Sequence, residues 1–251
     1  MRYFIEFSYK GTHYHGWQIQ ENANSVQNEI NKALKIICRT EIETIGSGRT
    51  DTGVHASQQF LHFDIETPIT HIQDFIYKIN SLLPHDIAIY KIVEVKPDHH
   101  ARFDAVSRSY QYHIHQIKNP FLIEFSYFFP IPLDVDLMNK AAEKLIGEKD
   151  FSSFSKTHTD VATFICEITE AFWKTDGEKI TFFISANRFL RGMVRAIVGT
   201  LLDVGTKKTS ISEFEKIIES KNRKNAGRNV PAEGLFLTQI KYKSEIETLM
   251  N

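Results

Sequence analysis

Gly46-Ser47-Gly48-Arg49-Thr50-Asp51-Thr52-Gly53-Val54-His55-Ala56 sets one cation and one carboxylate among three glycines. Glycine reaches positive φ at no steric cost, so this stretch has backbone freedom that ordinary residues lack. In extended chain, residues two apart point to one face, so Arg49 and Asp51 can be presented together. Two readings stand at this point. A loop displaying a carboxylate held ionised by an arginine suits a nucleophile or a base. A polar turn whose Asp caps neighbouring N–H groups uses the same residues for structure alone. The chain on either side has to decide.

Upstream, Arg2–Tyr9 alternates as a strand, with Tyr3, Ile5 and Phe7 on one side and Phe4 and Glu6 on the other. Residues 10–20 mix glycines with aromatic and amide side chains, which stack on bases in some loops and only fill space in others. Asn24 with Gln27 resembles a capping box, and Val26, Ile30, Ala33, Leu34 and Ile37 mark an amphipathic helix. A short strand fits at residues 41–45. Downstream, residues 60–65 read as a strand, Thr70 with Gln73 caps a second helix that Pro84 stops, and Ile87–Val95 is another strand. Residues 96–105 break the pattern and link two halves.

The second half begins with a strand from Arg108, where Tyr110, Tyr112 and Ile114 alternate against Gln111, His113 and His115. Residues 121–132, aromatic and proline-rich, fit no regular element. Asp134 opens a helix with Gly147 suited to its C-terminal cap. Two strands join around Asp176-Gly177, a hairpin signal. A helix runs from about Phe189 to Val204, Ser210 with Glu213 caps another, and Leu235–Tyr242 is the closing strand. The order of elements repeats in outline, without a residue-level repeat. The fold class is therefore α+β: two split β-α-β halves, residues 1–104 and 105–251, with mainly antiparallel sheets side by side around a central cleft. Clefts of that kind are favoured ligand sites.

The 251 residues carry 30 Lys and Arg against 31 Asp and Glu, a net charge near zero that argues against an all-over basic nucleic-acid coat but permits a local patch. Cys38 and Cys166 have no C-x-x-C partner, as in a reducing cytoplasm. No apolar run approaches membrane-spanning length, and Met1-Arg2-Tyr3 leads straight into a strand pattern, so the expectation is a cytoplasmic protein without membrane contact or signal peptide.

Arg188, Arg191 and Arg195 fall at i, i+3 and i+7 on the helix expected from Phe189, which gives them one face. From Arg188 to Arg228 the sequence holds ten Lys and Arg, Lys207 and Lys208 among them, against four acids. That local surplus fits a phosphate-binding surface or a solvated face. His13 with His15 and His113 with His115 share strand faces, but no H-E-x-x-H, cysteine pair or carboxylate cluster accompanies them, so no metal is expected. Walker-type and G-x-S-x-G motifs are missing too. What remains is one carboxylate in a glycine-rich loop.

Taken together, these residues resemble the TruA family of tRNA pseudouridine synthases. Residues 46–56 look like its signature. Tyr14-His15-Gly16-Trp17-Gln18 and Ser25-Val26-Gln27 resemble its N-terminal loop and first helix, and His100-Ala101-Arg102-Phe103 with Arg108-Ser109-Tyr110-Gln111-Tyr112 its central block. Phe151-Ser152-Ser153-Phe154, Phe189-Leu190-Arg191-Gly192-Met193-Val194-Arg195 and Pro231-Ala232-Glu233-Gly234-Leu235 match as well. The resemblance implies the pseudouridine synthase fold, and isomerisation of uridine to pseudouridine at positions 38, 39 and 40 of the tRNA anticodon stem-loop. It further implies a homodimer with a basic cleft and no cofactor or metal. It carries over Asp51 as the nucleophile, Tyr110 as the ring against the target base, and Arg49, Arg195 and Leu235 as substrate contacts. Arg102, Arg188, Arg191, Lys207 and Lys208 become RNA contacts. The partner of Asp51 stays open between Arg49 and Arg195.

Overall fold

The N-terminal alternation forms strand β1 (Arg2–Tyr9), flanked by a strand on each side in the computed structural model, which describes residues 1–156 and 161–250. Helix α1 (Val26–Cys38) and a two-residue strand β2 (Ile45–Gly46) lead to β3 (His55–Asp64); α2 (Ile72–Leu82) leads to β4 (Ile87–Val95). β1 pairs antiparallel with both β3 and β4, setting Ile5 opposite Leu61 on one side and Ile92 on the other. This is the split β-α-β unit. Its core is aromatic and aliphatic: Tyr3, Phe4, Ile5, Phe7, Phe63, Ile30 and Leu34 are all buried.

The second unit holds β5 (Ala105–His115), β6 (Tyr127–Phe128), α3 (Val135–Ala142), β7 (Gly147–Asp150), β8 (Ile165–Asp176), β9 (Lys179–Ala186), α4 (Met193–Gly205) and α5 (Ile211–Glu219). Its strands run in the order β5-β9-β8-β7, all antiparallel, and β6 adds a short parallel pairing to β5. α3 packs on β8, α4 and α5. Asn139 pins α3 to β8, its amide accepting the Trp173 N–H at 2.7 Å and donating to the Trp173 carbonyl at 3.2 Å. The chain ends in β10 (Leu235–Tyr242), next to β3, and α6 (Ser244–Met250). Among the described residues, no helix is long and apolar enough to cross a membrane.

The fold class is α+β with mostly antiparallel strands, but several expected boundaries move. The two units comprise Met1–Val106 with Leu237–Asn251, and Ser107–Phe236. The closing segment thus belongs with the first unit, where the 105–251 division puts it in the second. A lone terminal strand has no periodicity that names the sheet it joins. Ser25, not Asn24, caps α1, its hydroxyl accepting the Asn28 N–H at 3.3 Å. Gln27 instead ties down its surroundings, donating to the Thr44 carbonyl and accepting from the Ile19 N–H. His71 rather than Thr70 precedes α2, with no side-chain cap. Gly147, with φ of +96°, opens β7 instead of closing α3, which passes through a 3₁₀ turn first. The capping box of α5 forms as expected from Ser210 and Glu213.

The largest difference concerns α4. Apolar spacing runs the helix back to Phe189, yet Gly192 takes φ of +72° as N-cap and the helix starts at Met193. Arg188 and Arg191 therefore precede the helix. The expected i, i+3, i+7 row does not exist, and of the three arginines only Arg195 is helical.

Candidate active site

The loop after β2 is locked at its first turn. Gly46 pairs with Leu61, and the Ser47 N–H donates to the Phe60 carbonyl at 2.8 Å. The buried Ser47 hydroxyl donates to the Gln59 amide oxygen at 3.1 Å, and the Gln59 amide donates to the Gly48 carbonyl at 3.1 Å. At the far end the chain turns sharply: the Val54 N–H reaches the Asp51 carbonyl at 3.2 Å. Gly53 makes that turn with φ of +78°, a conformation that costs L-residues about 1–2 kcal/mol. Between these two locks, Arg49 is exposed and Asp51 is half-buried.

Residues 10–20 hold this loop from behind. The Thr50 hydroxyl accepts the Trp17 N–H at 3.1 Å and shares a hydrogen bond with the Tyr9 hydroxyl at 2.8 Å. The Gly53 N–H donates to the Tyr14 carbonyl at 3.2 Å, and the Gly11 N–H to His55 Nδ1 at 3.1 Å. Trp17 packs its indole on Gly46, where an added Cβ would come within 2.4 Å of Nε1. Tyr14 and Trp17 are buried, and burial together with the Asp86 carboxylate at 2.5 Å raises the Tyr14 phenol above its ordinary range. Those two rings fill space and brace the loop, while His13 and His15 face solvent. Both backbone and side-chain anchors thus converge on residues 50–54.

In the second unit, β5 buries Tyr112 and Ile114 completely, and the Tyr112 hydroxyl donates to the Pro231 carbonyl at 2.8 Å. Burial raises the Tyr112 phenol above its ordinary range, and the Glu233 carboxylate nearby adds to the rise. Tyr110 lies on the same face but is only half-buried, edge-on to Phe189 at 5.1 Å. The face is therefore core from Tyr112 onward and partly open at Tyr110. Arg195, in the first turn of α4, donates through Nε to the Val230 carbonyl at 2.7 Å. Leu235 is buried at the start of β10. The structure groups Arg49 with Asp51 on one loop, and Tyr110 with Phe189 beside one strand.

The cations counted along residues 188–228 are not all idle. Lys207 lies 3.3 Å from the Asp134 carboxylate, Lys208 3.9 Å from Asp203, and Lys221 3.2 Å from Asp150. Arg223 spends its guanidinium on the Ala226 and Gly227 carbonyls and the Asn229 side chain. The Lys207 and Lys208 pairs are exposed, so each is worth less than about 1 kcal/mol and yields readily to a phosphate. Arg188 is half-buried and Arg191 exposed. Arg102 is exposed on the turn between β4 and β5.

Sequence pattern missed the residues that hold the site. Tyr9, Thr50, Ser47 and Gln59 have no motif of their own, although Thr50 and Ser47 stand inside the opening stretch. The histidines also find structural work: His55 Nδ1 and His62 Nδ1 accept backbone N–H groups, and His115 Nδ1 meets the Ser126 hydroxyl at 3.0 Å.

A family model described as tRNA pseudouridine synthase matches residues 6–104 and 141–243. The chain is 52% identical over 246 residues to a protein of Bacteroides fragilis named tRNA pseudouridine synthase A, covering 98% of each chain. Proteins of the same name from Caldicellulosiruptor bescii and Staphylococcus aureus are 40% and 38% identical. The alignments cover 95% of this chain and 98% of the former protein, and 99% of this chain and 94% of the latter. A match over most of both units, with relatives about half identical end to end, means that the chain belongs to the tRNA pseudouridine synthase family.

Proposed function

We propose that this protein isomerises uridine to pseudouridine at positions 38, 39 and 40 of the tRNA anticodon stem-loop, with Asp51 as nucleophile. One observation carries the role of Asp51. Its neighbours Ser47, Thr50, Gly53 and Val54 are fixed from both sides, so the backbone that carries the half-buried Asp51 is held in place. A rigid backbone that presents one carboxylate is how a nucleophile is held within reach of a reacting atom.

The chemistry balances without a co-reactant. The Asp51 carboxylate bonds to C1′ of the target nucleotide, and the electron pair of the N1–C1′ bond leaves on uracil N1. The detached base turns. C5 then bonds to C1′, the carboxylate departs with its pair, C5 loses its proton and N1 gains one. Tyr110 is the proposed ring against the base and a candidate to move that proton. Arg49, Arg195 and Leu235 are the proposed contacts to the nucleotide. A uridine within a stem must first be extruded, at a cost of a few kcal/mol. Phosphate contacts from Arg188, Arg191, Lys207 and Lys208 would offset part of this. A homodimer acting in the cytoplasm completes the reading.

Asp51→Ala and Asp51→Asn should each abolish pseudouridine formation in a tRNA transcript while tRNA affinity stays within about threefold. Pseudouridine mapping at positions 38–40 reads the product. Turnover by either variant would remove Asp51 from the reaction.

A further inference from the structure

The turn between β4 and β5 carries an aromatic ring that is both exposed and fixed. Phe103 leaves 74% of its surface in water. Its N–H and that of Arg102 both donate to His100 Nδ1, at 3.3 and 3.1 Å. The Phe103 ring lies 4.2 Å from the His100 ring, tilted by 31°. His100 in turn meets His62 edge-on at 4.6 Å, and His62 Nδ1 accepts the Ala101 N–H at 3.1 Å. The Arg102 guanidinium reaches over the Phe103 ring at 5.7 Å.

A single exposed phenylalanine is ordinary on a protein surface. This one differs in being preorganised. Its backbone is tied to the imidazole beneath it, so little further ordering is needed for a flat ligand to stack. Two acids nearby, Asp104 and Asp64, are already engaged. Asp104 accepts the His100 N–H at 2.7 Å and lies 3.4 Å from His99 Nδ1, and Asp64 is held by two hydrogen bonds of 2.8 Å from Arg2. An aromatic face beside a guanidinium, with the Asp104 and Asp64 carboxylates occupied, matches a nucleobase and its phosphate better than a protein surface.

We propose that Phe103, seated on His100 and flanked by Arg102, is a stacking platform for an unpaired base of the tRNA substrate. His62 stands seven residues along β3 from His55, roughly 23 Å at the rise of a strand. The platform is thus too far from the loop end to hold the target uridine, and the stacked base belongs to another part of the same RNA. An unpaired base is required because a paired one keeps its faces inside the helix.

The proposal rests on tRNA being the substrate, and its test separates the two. Binding of an unmodified tRNA transcript and its turnover are measured for wild type, Phe103→Ala, Phe103→Leu and Phe103→Trp. Stacking predicts that the Ala and Leu variants bind roughly 5- to 150-fold more weakly, that Trp restores affinity, and that kcat at saturating tRNA is unchanged. Equal affinity for Phe103→Ala, or full affinity for Phe103→Leu, overturns the platform. So does a change in sedimentation of Phe103→Ala with tRNA affinity intact, which would give this surface to a second copy of the chain. A wild-type protein that binds tRNA without forming pseudouridine defeats the proposed function alone, and the binding series still decides the platform.

Discussion

The three glycines around Asp51 look equivalent in sequence and are not equivalent in space. Gly53 needs its left-handed φ, and Gly46 needs its missing Cβ because the Trp17 indole occupies that position. Gly48 needs neither: its φ is ordinary and an added Cβ would meet nothing within 4 Å. Composition registers only that glycine is frequent here, since which neighbour crowds which glycine depends on a loop some thirty residues upstream. Gly46→Ala should therefore destabilise by about 1–3 kcal/mol, the usual cost of overpacking, because Trp17 is also packed on Phe7 at 5.2 Å. Gly48→Ala should leave Tm unchanged. Thermal melts of the two variants check the pair, and equal losses would show that loop flexibility rather than crowding sets the requirement. Should Gly48→Ala keep its Tm yet lose turnover, the open space beside Gly48 serves the substrate.

At the scale of elements, strong periodicity was legible and backbone geometry was not. β1, β4, the β8–β9 hairpin and α5 stand where alternation, a turn dipeptide and a capping box put them. α4 fails at its start because apolar spacing continues through Gly192, and spacing carries no information about the sign of φ. The two-residue strands β2 and β6 are too short to show a period at all. Residues 10–20 illustrate the same limit from the functional side. Their aromatic content suits base stacking or filling, and the structure assigns Tyr14 and Trp17 to filling. Their role is to hold the Asp51 loop, and Thr50 is the node where the two loops meet. Thr50→Val removes both hydrogen bonds at nearly constant volume. A displacement of about 1 Å at a reacting group can cost on the order of a hundredfold in rate, so kcat should fall roughly 10- to 100-fold with tRNA affinity retained. Thr50→Ser, which keeps the hydroxyl, should recover most of it. Single-turnover rates at saturating tRNA test this, and a Thr50→Val enzyme of normal kcat would leave the node without a part in positioning.

For the whole molecule, the α+β class and the order of elements were legible, whereas the return of the closing strand to the first unit was not. The histidines show why side-chain roles are harder to read than elements. Spacing raised a metal, but burial decides their behaviour, and burial is a property of the folded chain. Burial, with the Arg2 guanidinium and His100 nearby, pushes His62 down to about 4; burial also lowers His100 and His115. An unfolded histidine titrates near 6.5. Between that value and about 4 the unfolded chain binds protons that the folded chain refuses, so stability rises with pH across this window and is fully present above it. Acidification from pH 7 should remove up to about 3 kcal/mol through His62 alone, with His100 and His115 adding to the slope. The carboxylates act in a different window. Arg2 holds Asp64 low, and the stability this gives is present above the ordinary carboxylate value of about 3.9 and lost only on further acidification. Urea unfolding from pH 7 to 4 should therefore show a steady fall in midpoint for the wild type. His62→Gln removes the titrating group, so whatever its stability at pH 7, its midpoint should depend less steeply on pH. Parallel slopes for the two proteins would mean that His62 is protonated in the folded state and that the Ala101 N–H bond to its Nδ1 does not persist in solution.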